Sequence, residues 1–423
     1  GGDRERIAQP RQRPSSGGSS RGDRGRAVMV HAMSERGRAQ TTTDALRRHN
    51  QSAVLSIVHR RGPVSRAELA RTTGLTRATV GAVLADLVQL GLVYVVRPTV
   101  ADGVGRPSHV VYPEPATVAV AVNPEVDAVH VGIVELGGRV RAAERIAVAA
   151  VPGVAEVVEL AAAASGRMLA AAPARVAGIG VAVPGQVRDA DGQVREATHF
   201  GWREEPLAAL LEAATGHRTF AANAARVAMQ AEITFGAGRG VDDLLFAIGG
   251  ASGIGGGAVV AGQVLTGNGG YAGEVGHVRV RDPGAPCHCG SHGCLEAEVT
   301  QERLLAAVGL APDGAHLLAD ALAASTDPAV AELVAEGSRL VGLALRAAVN
   351  LLDPGVVVLS GFLDALVHVH PLADFPDGAI RSVRADLQVR SAVLGADQLL
   401  VGAAELVWAR LLADPARYLA QAG

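Results

Sequence analysis

The chain has 423 residues, 49% of them hydrophobic but only 3% aromatic, so it is long enough for two or three domains with cores of small aliphatic side chains. All 39 basic residues are arginine, and a net charge of -3 conceals a division: residues 1–106 carry 18 Arg against 8 acidic residues, and the remainder carries 21 against 34. A basic front on an acidic body points to a polyanion partner for the front, while the lack of an apolar run of about 18 residues and of a signal-peptide pattern argues against a membrane location and leads us to expect a cytoplasmic protein.

Residues 1–43 are rich in Arg, Gly, Ser and Gln without apolar periodicity, and are expected to be a disordered tail that adds at most non-specific attraction to DNA. From Asp44 the pattern changes. Ala45, Leu46, Val54, Leu55, Ile57 and Val58 predict a helix ending near Gly62-Pro63. Ser65, with Glu68 three places on, reads as the capping box of a second helix whose Leu69 and Ala70 face inward. Thr72 to Leu75 read as a short turn around Gly74, and Thr76 caps a third helix with Val80, Val83, Leu84, Leu87 and Val88 at helical spacing. Gly91 ends that helix, and Leu92 to Val96 open a strand.

Helix, glycine turn, helix and strand pair predict a winged helix-turn-helix domain over residues 44–112, its wing and linker marked by Gly103, Gly105 and Pro107. In that geometry the later helix enters the DNA major groove by its N-terminal residues. Arg77 is then the candidate for base contact, flanked by Thr76 and Thr79, and Arg66 and Arg71 suit phosphates. A three-helix bundle with a solvated charged face is the plainer alternative.

Residues 113–423 alternate apolar strands with Ala-rich helices, among them Val118–Val122, Val129–Val134, Val176–Val183, Leu244–Ile248 and Val356–Leu359. This predicts an α/β body large enough for two lobes.

All three cysteines fall within eight positions, CHCGSHGC, at Cys287, Cys289 and Cys294. In a reducing compartment such a cluster reads as a metal site sooner than as a disulfide framework, although three ordinary thiols would also satisfy the composition. Three thiolates need a fourth ligand to close a tetrahedral zinc site. His288 and His292 lie inside the tight loop, where strain is high or the side chain points away, whereas His277 lies ten residues before Cys287 with glycine on its approach. The set His277, Cys287, Cys289 and Cys294 leaves no open position, so the expected Zn²⁺ is structural.

GEVGH followed by CHCGSHGCLE resembles the zinc motif of the ROK family of sugar kinases and related repressors. Gly105-Arg106-Pro107, VAVPG (Val181–Gly185), FGAGRG (Phe235–Gly240) and LLDP (Leu351–Pro354) are also similar to family segments, and the resemblance runs from about residue 44 to about residue 415. It implies a two-lobed actin/hexokinase-like (ribonuclease H-like) α/β body with a zinc loop. With the winged helix in front, it implies the regulator branch of the family, whose members answer to sugars or sugar phosphates.

The same resemblance lets kinase competence be checked. The family's first phosphate loop reads Asp-x-Gly-x-Thr, but here Asn123, Pro124 and Glu125 stand in it; Pro124 removes a donor N–H and Glu125 repels a phosphate. The catalytic Asp of the family's Asn-Asp-Ala-Asn motif is replaced in Asn223-Ala224-Ala225-Arg226, with Glu232 fixing the register, so Ala224 cannot act as general base. The glycine-rich stretch Gly249–Gly257 is better kept, with Ser252 where Thr is usual, though it also reads as a plain strand-to-strand turn. No catalytic residue is therefore assigned.

The resemblance assigns sugar hydroxyls to Asn223, Glu274, His277 and Glu296, carboxylates and imidazole being suited to fixed vicinal hydroxyls. Arg226 would favour an anionic group on that sugar. The expectation is a repressor of carbohydrate-metabolism genes that binds a palindromic operator as a dimer or tetramer and is released by a sugar or sugar phosphate. An active sugar kinase, and a regulator controlled by a protein partner, are the alternatives.

Overall fold

Ser65 and Thr76 start the two helices that define the front end. The Ser65 hydroxyl accepts the Glu68 N–H at 3.1 Å, and the Thr76 hydroxyl accepts the Thr79 N–H at 3.1 Å, so each helix has one of its orphan donors satisfied. The computed structural model describes residues 44–97, 109–188, 190–372, 379–380 and 386–421; the tail 1–43, Gly103 and the Gly105-Arg106-Pro107 motif lie outside them. Helix α1 covers residues 44–61, followed by strand β1 (Val64–Ser65), α2 (Arg66–Thr73) and α3 (Arg77–Gln89). Gly74 joins α2 to α3 at φ 71°, in the left-handed region where a side chain is strained. α2 runs into the stretch expected to be a turn, because the Thr73 hydroxyl donates to the Leu69 carbonyl at 2.7 Å and closes the last turn.

β2 (Val93–Val96) and β3 (Val110–Pro113) complete a three-stranded antiparallel sheet in the order β1-β3-β2. Val54, Leu55, Val58, Leu69, Val80, Val83, Leu84 and Leu87 are buried. Ile57 and Ala70 are half-buried, and Ala45, Leu46 (60% exposed) and Val88 (46%) lie at the surface. Leu84 and Leu87 already fill the inward face at the end of α3, and Leu92 and Val93 close the core, which leaves Val88 on the solvent side.

From Thr117 onward two five-stranded sheets form two lobes. The first contains β4 (Thr117–Pro124), β5 (Ala128–Glu135), β6 (Val140–Ala147), α4 (Val154–Ala171), β7 (Arg175–Val183), a small sheet of β8 (Gln186–Val187), β9 (Val194–Ala197) and β10 (Trp202–Glu205), then α5 (Leu207–Thr215), β11 (Thr219–Asn223) and α6 (Ala224–Phe235). Its main sheet has the order β11-β7-β4-β5-β6, with β4, β7 and β11 parallel. β4 is buried along its length. Val118, Val120 and Val122 pack in a cluster with Val157 and Ala161 of α4, while Ala119 and Ala121 alternate into a second cluster on the other face.

The second lobe contains β12 (Leu244–Gly250), β13 (Gly253–Val260), β14 (Gln263–Val264), α7 (Leu295–Glu298), α8 (Gln301–Ala307), α9 (Leu318–Ala324), α10 (Pro328–Leu352), β15 (Val356–Gly361), α11 (Phe362–Val369) and β16 (Gln388–Ser391), with sheet order β14-β13-β12-β15-β16. Two further helices follow, α12 (Gln398–Ala413) and α13 (Pro415–Ala420). No helix among the described residues is long and apolar enough to cross a membrane.

α12 returns to the first lobe and packs backbone to backbone against it. A Cβ at Gly180 of β7 would stand 1.8 Å from the Ala403 carbonyl oxygen, and one at Gly402 would stand 2.2 Å from the Val227 carbonyl oxygen of α6, so both positions require glycine. Trp408 and Leu411 of α12 belong to the same buried cluster as Val54, Leu55, Leu84 and Leu87 of the winged helix. Polar contacts join the two parts as well. Arg175 donates to the Gly91 carbonyl at 3.0 Å and to the Thr117 hydroxyl at 2.7 Å. His59 of α1, fully buried, accepts the Gly137 N–H on Nδ1 at 3.0 Å and therefore donates from Nε2 to Glu405 of α12 at 2.9 Å.

Candidate functional site

The cysteine loop is held by its own backbone before any metal is considered. The Cys287 N–H donates to the Ser291 carbonyl at 2.8 Å and the Gly290 N–H to the Cys287 carbonyl at 2.9 Å, making a tight turn; the Val280 N–H donates to the Gly293 carbonyl at 2.8 Å and ties the loop to the segment that follows His277. Within this frame His277 Nδ1 lies 3.6 Å from Cys287 Sγ, and Cys289 Sγ lies 3.8 Å from Cys294 Sγ. The four donor atoms of His277, Cys287, Cys289 and Cys294 all lie within 4.8 Å of one another, an arrangement that can hold a metal ion. Burial pushes the Cys287 thiol up to about 12 and raises that of Cys294, whereas the exposed Cys289 sulfur is lowered, chiefly by the Ser291 backbone. Metal binding must therefore displace protons from the two buried sulfurs. His292 is exposed and belongs to no such group among the described residues.

The same loop lines a cavity of about 300 Å³ between the lobes, bordered by Glu125, Asn223, Ala224, Ser252, Glu274, His277 and Glu296. His277 and Glu274 both border this cavity, with His277 Nε2 3.9 Å from Glu274 Oε2. Burial raises the Glu274 carboxyl above the ordinary value, opposed by His277 and reinforced by Glu296. Glu296, on the short helix that Cys294 precedes, accepts the Ile254 N–H on Oε2 at 2.9 Å and meets His199 Nε2 with Oε1 at 3.0 Å. Burial alone would raise this carboxyl, but the His199 hydrogen bond and neighbouring charge outweigh it and hold it below the usual range.

Asn223 ends β11 and caps α6, its Oδ1 accepting the Arg226 N–H at 3.0 Å while Nδ2 donates to the Gly185 carbonyl at 2.9 Å. Ala224 follows it on the cavity wall and offers no polar group. Arg226 does not border that cavity; it lines a narrow adjoining recess with Gln186, Tyr271 and Glu274.

Across the cavity the first and second glycine-loop equivalents are tied together. The Ser252 hydroxyl donates to Glu125, Asn123 Nδ2 donates to Glu125 Oε1 at 3.1 Å, and the Val126 N–H donates to the Ser252 oxygen at 3.2 Å. Glu125 thus joins the two loops across the cleft. Stretch Gly249–Gly257 covers the end of β12, the tight turn at Ala251-Ser252 and the start of β13, the strand-to-strand turn of its plainer reading. Sequence reasoning treated Glu125 only as repulsive and missed its partner, because nothing local links positions 127 residues apart. It also missed His199, whose only signal is proximity in space to Glu296.

At the front end, Arg77 and Arg71 are exposed at or near the start of α3 and the end of α2, with Arg71 3.9 Å from Glu68. Thr76 and Thr79 hydroxyls lie 2.9 Å apart, both engaged in the cap. Arg66 is half-buried and its Nε has no hydrogen-bond partner.

A model of the ROK family matches residues 121–410, and a model of the MarR family matches residues 46–103. The chain is 32% identical over 252 residues to a glucokinase of Halalkalibacterium halodurans, covering 54% of this chain and 76% of that one. It is 23% identical over 353 residues to a xylose repressor of Bacillus spizizenii, covering 81% of this chain and 87% of the repressor. Its fold matches, with a TM-score of 0.71 and 22% identity over 89% of this chain and 99% of the other, the crystal structure of a ROK family transcriptional regulator described as a homologue of the E. coli MLC protein. A MarR-type winged helix ahead of a two-lobed body, and a family match that covers most of the chain, lead to one conclusion: the protein belongs to the ROK family.

Proposed function

We propose that this protein is a sequence-specific DNA-binding regulator, a repressor of carbohydrate-metabolism genes, whose ROK body senses a sugar or sugar phosphate and does not phosphorylate it. One observation carries the reading: Asn223, Glu274, His277 and Glu296 border a single cavity, and the residue beside them where a base would act is Ala224. Carboxylates and imidazole at fixed positions can read hydroxyls, but alanine cannot take a proton from one. The names of the relatives, xylose repressor and glucokinase, support an aldose or its phosphate as the effector class.

The donor set of His277, Cys287, Cys289 and Cys294 fits Zn²⁺: three sulfurs and one imidazole nitrogen are a closed set for this ion. Bound there, zinc would supply no reaction chemistry; it would hold the loop so that His277, Glu274 and Glu296 keep their places around the effector. In this reading Arg77 contacts bases, with Thr76 and Thr79 positioning the helix start, and Arg66 and Arg71 face phosphates. A cytoplasmic homo-oligomer, dimer or tetramer, presents two winged helices to the half-sites of an operator.

The signal has a material route. Asn223 at the cavity caps α6; Glu232 of α6 accepts from Gln398 at the start of α12 at 3.0 Å; Glu405 farther along α12 holds His59 of the winged helix. An effector that prefers one lobe arrangement would bias this chain of contacts and thereby the DNA-binding state, by as much as its affinity for the two states differs.

The glucokinase relative favours a second reading, an active sugar kinase. Glu125 bound to Ser252, and Ala224, weigh against it. Incubation with ATP and a panel of hexoses and pentoses separates the two: no sugar-dependent ADP above background is expected, and turnover would replace the regulator reading with the enzymatic one.

A further inference from the structure

We propose that His199, His288 and Glu296 form a second metal site, for a divalent transition-metal ion, on the wall of the cavity. The three residues come from separate parts of the chain: the turn Thr198–Phe200 after β9, the cysteine loop, and α7. Their donor atoms all lie within 4.8 Å of one another. His199 Nε2 is 3.0 Å from Glu296 Oε1, and the rings of His199 and His288 are 4.3 Å apart between centroids, tilted by 54°. With metal–ligand bonds of about 2.1 Å, two ligands of one tetrahedral ion stand about 3.4 Å apart, so this cluster needs little adjustment.

A simple hydrogen bond accounts for His199 and Glu296 but not for His288 beside them. His288 sits between Cys287 and Cys289, so the turn that fixes those sulfurs also fixes where its ring emerges. The Ile254 N–H holds Oε2 of Glu296 and leaves Oε1 for a cation. Two imidazoles and a carboxylate suit zinc, cobalt or nickel. Three protein ligands leave a coordination position open, and all three residues border the cavity, so that position faces the effector space. This sets the site apart from the four-ligand cysteine set, which is closed. Because Glu296 also belongs to the proposed sugar-reading set, an ion here changes what the cavity offers to a sugar oxygen. The inference stands without the sugar reading, since it concerns only these three side chains.

The test is cobalt binding to the full-length protein already carrying one equivalent of zinc in the cysteine set. One further equivalent of Co²⁺ should bind by equilibrium dialysis, giving ligand-field bands without a sulfur-to-cobalt charge-transfer band. His199→Ala and His288→Ala should each weaken this binding by at least about 10-fold. In separate samples where cobalt fills the cysteine set, both variants should keep the full charge-transfer band, which shows that the loop is intact. No second equivalent in the wild-type protein, or a second equivalent unaffected by either substitution, overturns the proposal.

Discussion

Glu125 illustrates what single residues decide here. Burial holds its carboxyl above the ordinary value, against hydrogen bonds from Ser252 and Asn123. The folded protein therefore keeps this proton to higher pH than the unfolded chain, and stability falls as pH rises from the ordinary carboxylate value through the raised folded one. Glu125→Gln should flatten that fall and raise the melting temperature at neutral pH; thermal melts of both proteins across that range, superimposable at every pH, would contradict it. Glu296→Gln should leave operator affinity unchanged while weakening the effector response, read as the shift in DNA binding caused by a saturating sugar. The departures from the family's motifs at Asn123 and Ala224 were legible in the sequence because each is a residue-type change within a short motif. The gain at Glu125 was not, since its meaning depends on Ser252 across the cleft. The residues proposed to read hydroxyls were named only by resemblance: spacing does not reveal that Glu274 and Glu296 border one cavity.

At the scale of elements, the winged helix was the most legible part, because caps, glycine turn and apolar period are all local. Ser65, Gly74, Thr76 and the buried face of α3 appear where the pattern put them, and Val88 departs because core closure by Leu92 and Val93 is a tertiary fact. Arg77→Ala is expected to cost about 1–3 kcal/mol of specific binding and to relax preference at one base position, whereas Arg71→Ala should weaken binding evenly across sequences and reduce the salt slope by about one. Competition titrations with specific and scrambled DNA separate these outcomes. α12 could not be read as the bridge to the winged helix, since its contacts with α1 join residues 346 positions apart. Glu405→Ala leaves the buried His59 donor unpaired and should destabilise the protein by about 1–3 kcal/mol. It should also lessen the effector's influence on DNA binding, and Glu405→Gln, which keeps an acceptor, should restore much of both.

The whole molecule joins a basic winged-helix front to an acidic ROK body, whose cysteine loop at the cleft can hold a metal ion. Loss of metal should be promoted by acid, because protons compete for sulfurs whose thiols burial has raised. A chelated protein should bind its operator yet ignore the effector, as the winged helix shares its core with the first lobe and α12, and the cysteine loop contributes nothing to that cluster. Composition and alternation were enough for two α/β lobes behind a DNA-binding front; the return of α12 to the first lobe depended on glycine-mediated backbone contact that only the fold displays. The most direct measurement is binding to the DNA upstream of the protein's own gene, at fixed salt, with sugars and phosphosugars added one at a time. The account predicts tight binding that one sugar or phosphosugar releases, by about 10-fold or more, in the wild-type protein and not in Glu296→Gln. Tight binding indifferent to every sugar would contradict it, reduce Glu274 and Glu296 to supports of the metal loop, and move the search for the signal to a protein partner.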